Sequence, residues 1–234
     1  VGEVPYKGFF SLTRAEGVYD KLRAQGYDVL LRPVSAYSTL GYLSDPLLST
    51  MLSYPAHVLT ELILHELTHA TMYAKGHTDF NESVATFIGQ EGARQFLKKR
   101  YGEDNPYLKS ALEEKRDRER FQFFLKDLTQ ALDSLYQTST NDPELLNKRK
   151  QVFNQAQGHF KKTLPLYSNQ GYEAFLHWEI NNARLLSYRR YNSKQNVFRR
   201  IHDSLEGDLS LSIPLFSQCC KTEDPWKCLD SHDK

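Results

Sequence analysis

The chain has 234 residues and a mass of 27.2 kDa, which is enough to bury the core of one domain. Its formal net charge is +1 at pH 7. The chain as a whole therefore lacks the excess of positive charge that attracts nucleic acid. A membrane-spanning helix needs about 20 consecutive apolar residues. No stretch of the sequence approaches this length, so no transmembrane helix is predicted.

The amino-terminal part of the chain, residues 1–55, carries the clearest strand signals. Residues 27–32 are rich in strand-forming side chains, and residues 34–43 favour a short second strand or a hairpin. The sequence therefore predicts a small β-sheet in this part of the chain.

A predicted helix over residues 56–74 carries the most informative motif, the sequence HELTH at residues 65–69. No Gly or Pro interrupts this segment, apolar residues recur at helical spacing, and Gly76 follows where a glycine commonly ends a helix. His65 and His69 face the same way on such a helix and can bind one Zn²⁺, while the intervening glutamate is placed as general base for a metal-bound water. Two core histidines bonded to the backbone are the alternative interpretation.

A second predicted helix runs from about Asp79 to Arg100, and Glu82 in its first turn is the candidate third ligand. The short loop between the helices makes them antiparallel neighbours. Three protein ligands and one open position are typical of a catalytic zinc site. Glu82 alternatively completes a capping box with Asp79, and His77, Asp79 and Glu91 compete for the third ligand position.

Residues 106–162 predict a long helical hairpin, whose second helix begins with Asp142 as cap and Pro143 in the first turn. We expect this hairpin to lie over or beside an active-site cleft, or to give packing support only.

A further helix is predicted over residues 171–191. The tail from Gly207, which contains Pro214 and Pro225, is predicted to be irregular.

All three cysteines lie in the carboxyl-terminal tail. Either Cys219 or Cys220 could close a short loop with Cys228, which leaves one thiol unpaired. Zinc binding by the three is disfavoured, because structural zinc sites usually combine spaced pairs of ligands.

The HELTH motif, followed by Asn81-Glu82 on the next helix, resembles the gluzincin metallopeptidases. Together with residues 33–51, residues 65–92 and the sequence NNARL at residues 181–185, it resembles the bacterial putative aminopeptidase family. These segments are spread over most of the chain.

The resemblance implies that His65, His69 and Glu82 bind one Zn²⁺ per chain and that Glu66 is the catalytic base. It also implies a mainly helical α+β fold: a zincin-like pair of active-site helices, a small amino-terminal β-sheet and the inserted helical hairpin. In gluzincins a strand beside the HExxH helix lines the substrate cleft, and residues 34–43 are the candidate for that strand.

This fold is expected as a single zincin-like domain over residues 1–234. Its parts are a strand-containing segment (1–55), the active-site helices (56–105), the hairpin (106–162) and carboxyl-terminal helices with a tail (163–234).

The resemblance implies a zinc-dependent peptidase acting on peptide or protein substrates, with aminopeptidase activity favoured. The alternative is a non-catalytic zinc- or peptide-binding protein on the same fold. Zinc activates the attacking water, and gluzincins usually supply a Tyr or His that stabilises the oxyanion. Tyr37 is our candidate because it lies in a segment that matches the family, and Tyr42, Tyr188, Tyr191 and Arg184 are alternatives.

An aminopeptidase must also hold the α-ammonium group of its substrate, normally with a carboxylate. Glu61, Glu91 and Asp79 are the candidates, although Glu61 also suits a solvated helix face. Asn181 and Asn182 either orient ligands or substrate, or join helices by hydrogen bonds.

The chain begins at Val1 rather than Met, which predicts a processed or trimmed chain. Members of the resembled family often carry an export or lipoprotein signal. We therefore expect an extracytoplasmic protein, periplasmic or held at a membrane by a lipid anchor on a missing amino terminus.

Overall fold

The computed structural model describes residues 6–33, 47–138, 143–192 and 194–233. Over these ranges the backbone is helical or irregular, and none of the described residues forms a strand. The α-helices in chain order are α1 (Leu12–Ala24), α2 (Ala56–Thr71), α3 (Thr78–Tyr101), α4 (Pro106–Thr138), α5 (Leu145–Thr163), α6 (Asn182–Asn192), α7 (Gln195–Ser204), α8 (Leu209–Cys219) and α9 (Pro225–His232). Short 3-10 helices span Ser49–Ser53, Leu164–Leu166 and Gln170–His177. None of the described helices combines the length and the apolar character needed to cross a membrane.

The predicted β-sheet, and with it the α+β gluzincin fold class, is wrong for the described residues. Residues 27–33 have irregular backbone, and their polar groups bond to side chains instead of to a neighbouring strand. The Asn181 side chain donates to the Val29 carbonyl at 3.0 Å, and the Asp28 carboxylate accepts from an arginine of α5 at 2.8 Å. Strand propensity reflects mainly how well side chains pack on a half-buried surface. A segment with high strand propensity can therefore lie beside helices without pairing with another strand. The second predicted strand, residues 34–43, lies outside the described ranges.

Helix α3 is the central element of the fold. Residues 80–89 are all buried, which is the pattern of a helix surrounded by protein on every side. Its neighbours are α2, α4, α6, α7 and α8. The helix ends at Gly102, whose φ of 85° is readily adopted only by glycine at such a helix end. The predicted pair of neighbouring helices is therefore present as α2 and α3.

Two clusters of buried side chains hold the remaining helices together. The carboxyl-terminal core joins α3 to α7, α8 and α9 through residues that include Phe80, Phe87, Phe198, Phe216 and Leu229. The aromatic core joins α4, α5, the segment Gln170–His177 and α6 through residues that include Phe121, Leu125, Phe153, Phe160, Phe175 and Leu185. Rings in both cores meet edge to face, which stabilises aromatic pairs beyond the burial of their surface.

The predicted hairpin of residues 106–162 is present as α4 packed against α5. The second helix begins at Leu145, two residues after Pro143, and the predicted cap Asp142 lies outside the described ranges. Helix α4 packs against α2 and α3 as well as α5, so the hairpin both supports the fold and borders the site described below.

The prediction of one helix over residues 171–191 is wrong. A 3-10 helix ends at His177, Trp178 is extended, and the Asn181 side chain accepts a hydrogen bond from the backbone of Arg184 to begin a new helix, α6.

The prediction of an irregular tail is also wrong. Asp208 and Asp224 cap α8 and α9, and Pro225 occupies the first turn of its helix, where a proline needs no hydrogen-bond partner. Cys219 and Cys228 form a disulfide that joins these two helices, and burial raises the pKa of the free Cys220 thiol to about 11.

Candidate active site

Helix α2 carries His65 and His69 one turn apart on the same face. Their Nε2 atoms lie 3.2 Å apart, and the ring planes stand at 85° to each other. Both side chains are largely buried, with exposed fractions of 16% and 10%. The four-residue spacing of the motif therefore brings two imidazole nitrogens to one point.

Glu82, in the first turns of α3, faces this pair of histidines. Its Oε2 atom lies 3.4 Å from Nε2 of His65 and 3.6 Å from Nε2 of His69. Two ligands of a tetrahedral zinc ion, each bound at about 2.0–2.1 Å, would be about 3.3–3.4 Å apart. The three separations of 3.2, 3.4 and 3.6 Å bracket this value, so the three atoms fit one face of a tetrahedral metal site.

Two groups of potential metal ligands converge among the described residues, and in only one of them are no ligand atoms joined by a covalent bond. The first consists of His65, His69 and Glu82. The second contains Cys219, Cys228 and His232, but its two sulfur atoms are joined in the disulfide. The structure thus brings together the ligand set predicted from the sequence.

The electrostatics of Glu82 favour its ionised form. Burial would raise the pKa of this carboxyl, but hydrogen bonds from His65 and His69, together with their positive charge, lower the pKa to about 2. A carboxylate must be deprotonated to bind a metal, so Glu82 is in the required form at neutral pH.

The capping box that the sequence offered as an alternative for Glu82 is not formed. The residue before α3 is His77, and no side chain caps the helix. Asp79 lies inside the helix, and its carboxylate accepts a hydrogen bond from the Trp226 indole at 3.2 Å.

The other residues that competed for the third ligand position point elsewhere. Nε2 of His77 lies 3.1 Å from the carbonyl oxygen of Glu223. Glu91 accepts hydrogen bonds from Arg94 and Gln95, and these bonds outweigh the effect of burial and lower the pKa of Glu91. Neither side chain belongs to the converging ligand group.

A buried amide holds the connection between α2 and α3. The backbone N–H of Ala74 donates to Oδ1 of Asn81 at 2.8 Å, and Nδ2 of Asn81 donates to the Ala74 carbonyl at 2.8 Å. Helix α2 ends at Thr71 rather than Ala74 because Met72 is extended, with φ −145° and ψ 138°. The amide of Asn81, the residue before Glu82, therefore ties the first turn of α3 to the connection between the two helices.

A glycine permits the close approach of the two helices beside the site. A Cβ atom at Gly89 would lie 2.9 Å from the backbone carbonyl oxygen of Glu61 and 3.4 Å from Cβ of His65. A Cβ atom at Gly92 would lie 2.9 Å from Cδ1 of Leu64, the end of a flexible side chain. Only the first contact would force the backbones of α2 and α3 apart.

His65 and Glu66 lie in the wall of a cleft of about 670 Å³. The cleft is bordered by α2, α4, the segment around Gln170–His177 and α6, and one end is formed by residues 30–33. Its aromatic lining consists of Phe121, Tyr172, Phe175, Trp178 and Tyr188. Polar and charged side chains, among them Arg118 and Arg184, form much of the remaining lining. A cleft that combines an aromatic wall with polar groups suits a small molecule or a short peptide.

The predicted anchors for a substrate ammonium group already have partners or lie elsewhere. The Glu61 carboxylate accepts two hydrogen bonds from the Arg118 guanidinium, and Glu114 lies 3.0 Å from Nε2 of His57. Glu91 is paired outside the cleft lining, and Asp79 bonds to an indole. The acidic groups predicted for this role are therefore not available as a simple anionic subsite.

Among the candidates for oxyanion stabilisation, Tyr188 and Arg184 line the cleft. Tyr37 and Tyr42 lie outside the described ranges, and the side chain of Tyr191 is likewise not described.

Of the two amides predicted for a supporting role, Asn182 joins α6 to α4, and Asn181 joins the start of α6 to residue 29. Asn181 bonds to Val29 and to the first turn of α6, while Asn182 accepts from the hydroxyl of Tyr136 at 2.9 Å.

Sequence reasoning missed Trp178 and Tyr172 as cleft residues. Both belong to the region assigned to one continuous helix, so their positions depended on a 3-10 segment that the apolar pattern does not reveal. Tyr73 lies within the helix predicted over residues 56–74, but it follows the end of α2 at Thr71. Burial, and to a lesser extent the charge of Glu82, raises the pKa of Tyr73.

Two histidines, a facing carboxylate and an adjacent cleft that contains a second glutamate define a candidate hydrolase site. Residues 1–222 match the model of the family described as "Putative aminopeptidase", and the chain belongs to that family. Neither a curated protein nor a solved structure matches the chain. The family description indicates peptidase activity and goes no further in chemical detail.

Proposed function

We propose that the protein is a zinc-dependent peptidase in which His65, His69 and Glu82 bind one Zn²⁺ and Glu66 is the general base. The observation that carries this proposal is the spacing of the three ligand atoms, which matches one face of a tetrahedral zinc site. The family description favours removal of amino-terminal residues within this class of reaction.

Each step of the proposed hydrolysis is assigned to a group in the site. Zinc, when bound, supplies a Lewis acid that activates a water molecule and polarises the peptide carbonyl. Glu66 accepts the proton of the attacking water and delivers it to the leaving amine. The aromatic cleft wall holds the substrate beside Glu66. Tyr188 lines that wall, and we propose it as a donor of a hydrogen bond to the developing oxyanion.

A zinc- or peptide-binding protein without catalysis is the alternative within the same family. The position of Glu66 favours catalysis over binding alone, because a zinc site needs no base and this carboxylate shares the cleft with His65.

Metal content tests the proposal directly. Protein purified without chelator is expected to carry about one zinc per chain by native mass spectrometry, because the ligand set offers one three-residue site. Hydrolysis of a peptide library is expected to stop after chelation and to return when zinc is added. Protein that binds no metal even after zinc is supplied would contradict the proposal.

Gly89→Ala is expected to weaken zinc binding by about 10-fold or more, a loss of the size seen when the support of metal ligands is disturbed. The new methyl group would push against the Glu61 backbone and displace α2, which carries His65, from α3. Overpacking of this kind also lowers the free energy of unfolding by about 1–3 kcal/mol. Zinc affinity is measured by competition with a chromogenic chelator, and stability by urea unfolding.

Gly92→Ala is the matched control, since it adds the same methyl group one turn along α3 against a movable leucine side chain. It is expected to keep its zinc affinity, and a helical Gly→Ala change can even stabilise by about 0.5–1 kcal/mol. Equal zinc affinities in the two variants would show that the close approach at Gly89 does not position the ligands.

A further inference from the structure

We propose that Arg184, stacked on Trp178, forms a subsite for a carboxylate group of the substrate in the cleft that contains His65 and Glu66. This inference rests on the proposed function insofar as the bound molecule is a peptide cleaved in that cleft. It specifies the substrate class: short peptides that carry a carboxylate close to the scissile bond.

The local structure holds Arg184 in place. Its backbone N–H donates to the Asn181 side chain at 3.0 Å, which fixes the residue in the first turn of α6. Its guanidinium lies over the Trp178 ring, 4.6 Å from the ring centroid. Stacking on an indole favours a cation and also restricts the orientation of the planar guanidinium.

The charge of Arg184 has no acidic partner among the described residues. Its Nε atom is buried and makes no hydrogen bond there. Arg118, a second arginine of the cleft, differs because its guanidinium bonds to Glu61 and lies 3.9 Å from Glu114. Since buried polar groups nearly always have partners, the guanidinium of Arg184 is suited to an acceptor from outside the described chain.

The surroundings of Arg184 favour an anion over a cation. Burial raises the pKa of Tyr188, and the positive charges of Arg184 and Arg32 partly offset this effect, so both arginines act on the same part of the cleft. The carboxylates of Glu61 and Glu114 are bonded to Arg118 and His57. A substrate ammonium group beside Arg184 would face a like charge, whereas a carboxylate there would face a guanidinium, with which it pairs favourably.

A carboxylate is the chemical group that a guanidinium recognises best. Two parallel N–H groups match its two oxygens, and a charged hydrogen bond at a partly buried site contributes more than a neutral one. A peptide can supply this group from two sources: its terminal α-carboxylate, or the side chain of an aspartate or glutamate. The proposal covers both, because the chemistry at Arg184 is the same.

Matched peptide pairs test the inference and separate the two sources. One pair differs only in a free carboxyl terminus or a terminal amide, and the second pair, both amidated, differs only in Glu or Gln beside the scissile bond. For at least one pair the wild type is expected to prefer the carboxylate by about 10- to 100-fold in kcat/KM, the contribution of a hydrogen bond to a charged group. Arg184→Gln is expected to bring that ratio close to one.

The ratio distinguishes a carboxylate subsite from other roles of Arg184. If Arg184 instead stabilised the oxyanion, Arg184→Gln would lower kcat/KM for both members of a pair equally and leave the ratio unchanged. Arg189→Gln removes a positive charge from an exposed position of the same helix and is expected to preserve the wild-type ratio. A wild-type ratio of one for both pairs, or a ratio that survives Arg184→Gln, would overturn the proposal.

A binding measurement keeps this inference separate from the proposed hydrolysis. The full chain, depleted of metal by chelation, is titrated with 3-phenylpropanoate and with the neutral 3-phenylpropanamide while tryptophan fluorescence and NMR line widths are followed. The carboxylate is expected to bind at least about 10-fold more tightly than the amide, and Arg184→Gln is expected to abolish the difference. If the carboxylate binds more tightly but the protein neither binds zinc nor cleaves peptides, the proposed function is refuted and the carboxylate subsite is supported. Equal binding of acid and amide would refute the subsite.

Discussion

Glu66→Gln is expected to lower kcat for peptide hydrolysis by about 10²–10⁴-fold, the usual contribution of a general acid–base group. The amide of glutamine has nearly the size of the carboxylate but cannot accept the proton of the attacking water. Glu66 lies outside the converging ligand group, so the variant is expected to bind zinc as the wild type does. Hydrolysis is measured with the best peptide from the library, and metal content by mass spectrometry.

The outcome separates the two functions that remain for this family member. Glu119→Gln, which removes an exposed carboxylate from α4, is the control for a general effect of charge and is expected to keep full activity. A Glu66→Gln protein that cleaves peptides at the wild-type rate would remove Glu66 from the mechanism. A wild type that binds zinc but cleaves nothing in the library, with Glu66→Gln indistinguishable from it, would favour the non-catalytic alternative.

The arrangement of His65, His69 and Glu82 is the most predictable part of the molecule, because it depends on local periodicity. His65 and His69 converge through helix spacing alone, and Glu82 reaches them because a short connection places α3 beside α2. The close approach at Gly89 was not predictable in the same way. Its cause is the backbone of Glu61 on the facing helix, and no pattern within α3 reveals that neighbour.

The error at residues 27–32 has a long-range cause. The carbonyl of Val29 is satisfied by Asn181, 152 positions away in the chain, so no local signal could show that a strand partner is unnecessary. Apolar and β-branched residues favour a packed, half-buried environment. Val29 and Leu30 are partly buried without a strand beside them among the described residues, whereas Tyr27 and Leu31 are exposed.

The error in the carboxyl-terminal tail was avoidable. Asp224 and Pro225 form a favourable helix start, with a capping side chain followed by proline in the first turn. The same combination of Asp and Pro predicts a helix start at residues 142–143, and the argument applies equally to residues 224–225. The contact between Arg184 and Trp178 was not predictable from local sequence patterns. The two side chains meet because a 3-10 segment ends at His177 and a new helix begins shortly after it.

His69→Ala and Glu82→Ala are each expected to lower zinc affinity by more than about 100-fold. Residues that only support metal ligands already contribute about 10–100-fold to affinity, and these two side chains are proposed to bind the ion directly. Loss of either leaves two protein ligands, fewer than a catalytic zinc site uses. Affinity is measured by competition with a chromogenic chelator, and circular dichroism verifies that each variant retains its helices.

The loss of zinc affinity in Glu82→Ala is the most informative result, because the sequence allows Glu82 to be either a zinc ligand or part of a capping box. His77→Ala is the matched control: this residue competed for the same ligand position, but its imidazole contacts the Glu223 carbonyl, so its removal is expected to leave zinc affinity unchanged. Glu82→Gln keeps an oxygen ligand and removes its charge, so its affinity is expected to fall between those of the wild type and Glu82→Ala. Wild-type affinity in Glu82→Ala, or a loss only in His77→Ala, would place the third ligand elsewhere. The graded order is expected because zinc binds a charged carboxylate oxygen more strongly than a neutral amide oxygen.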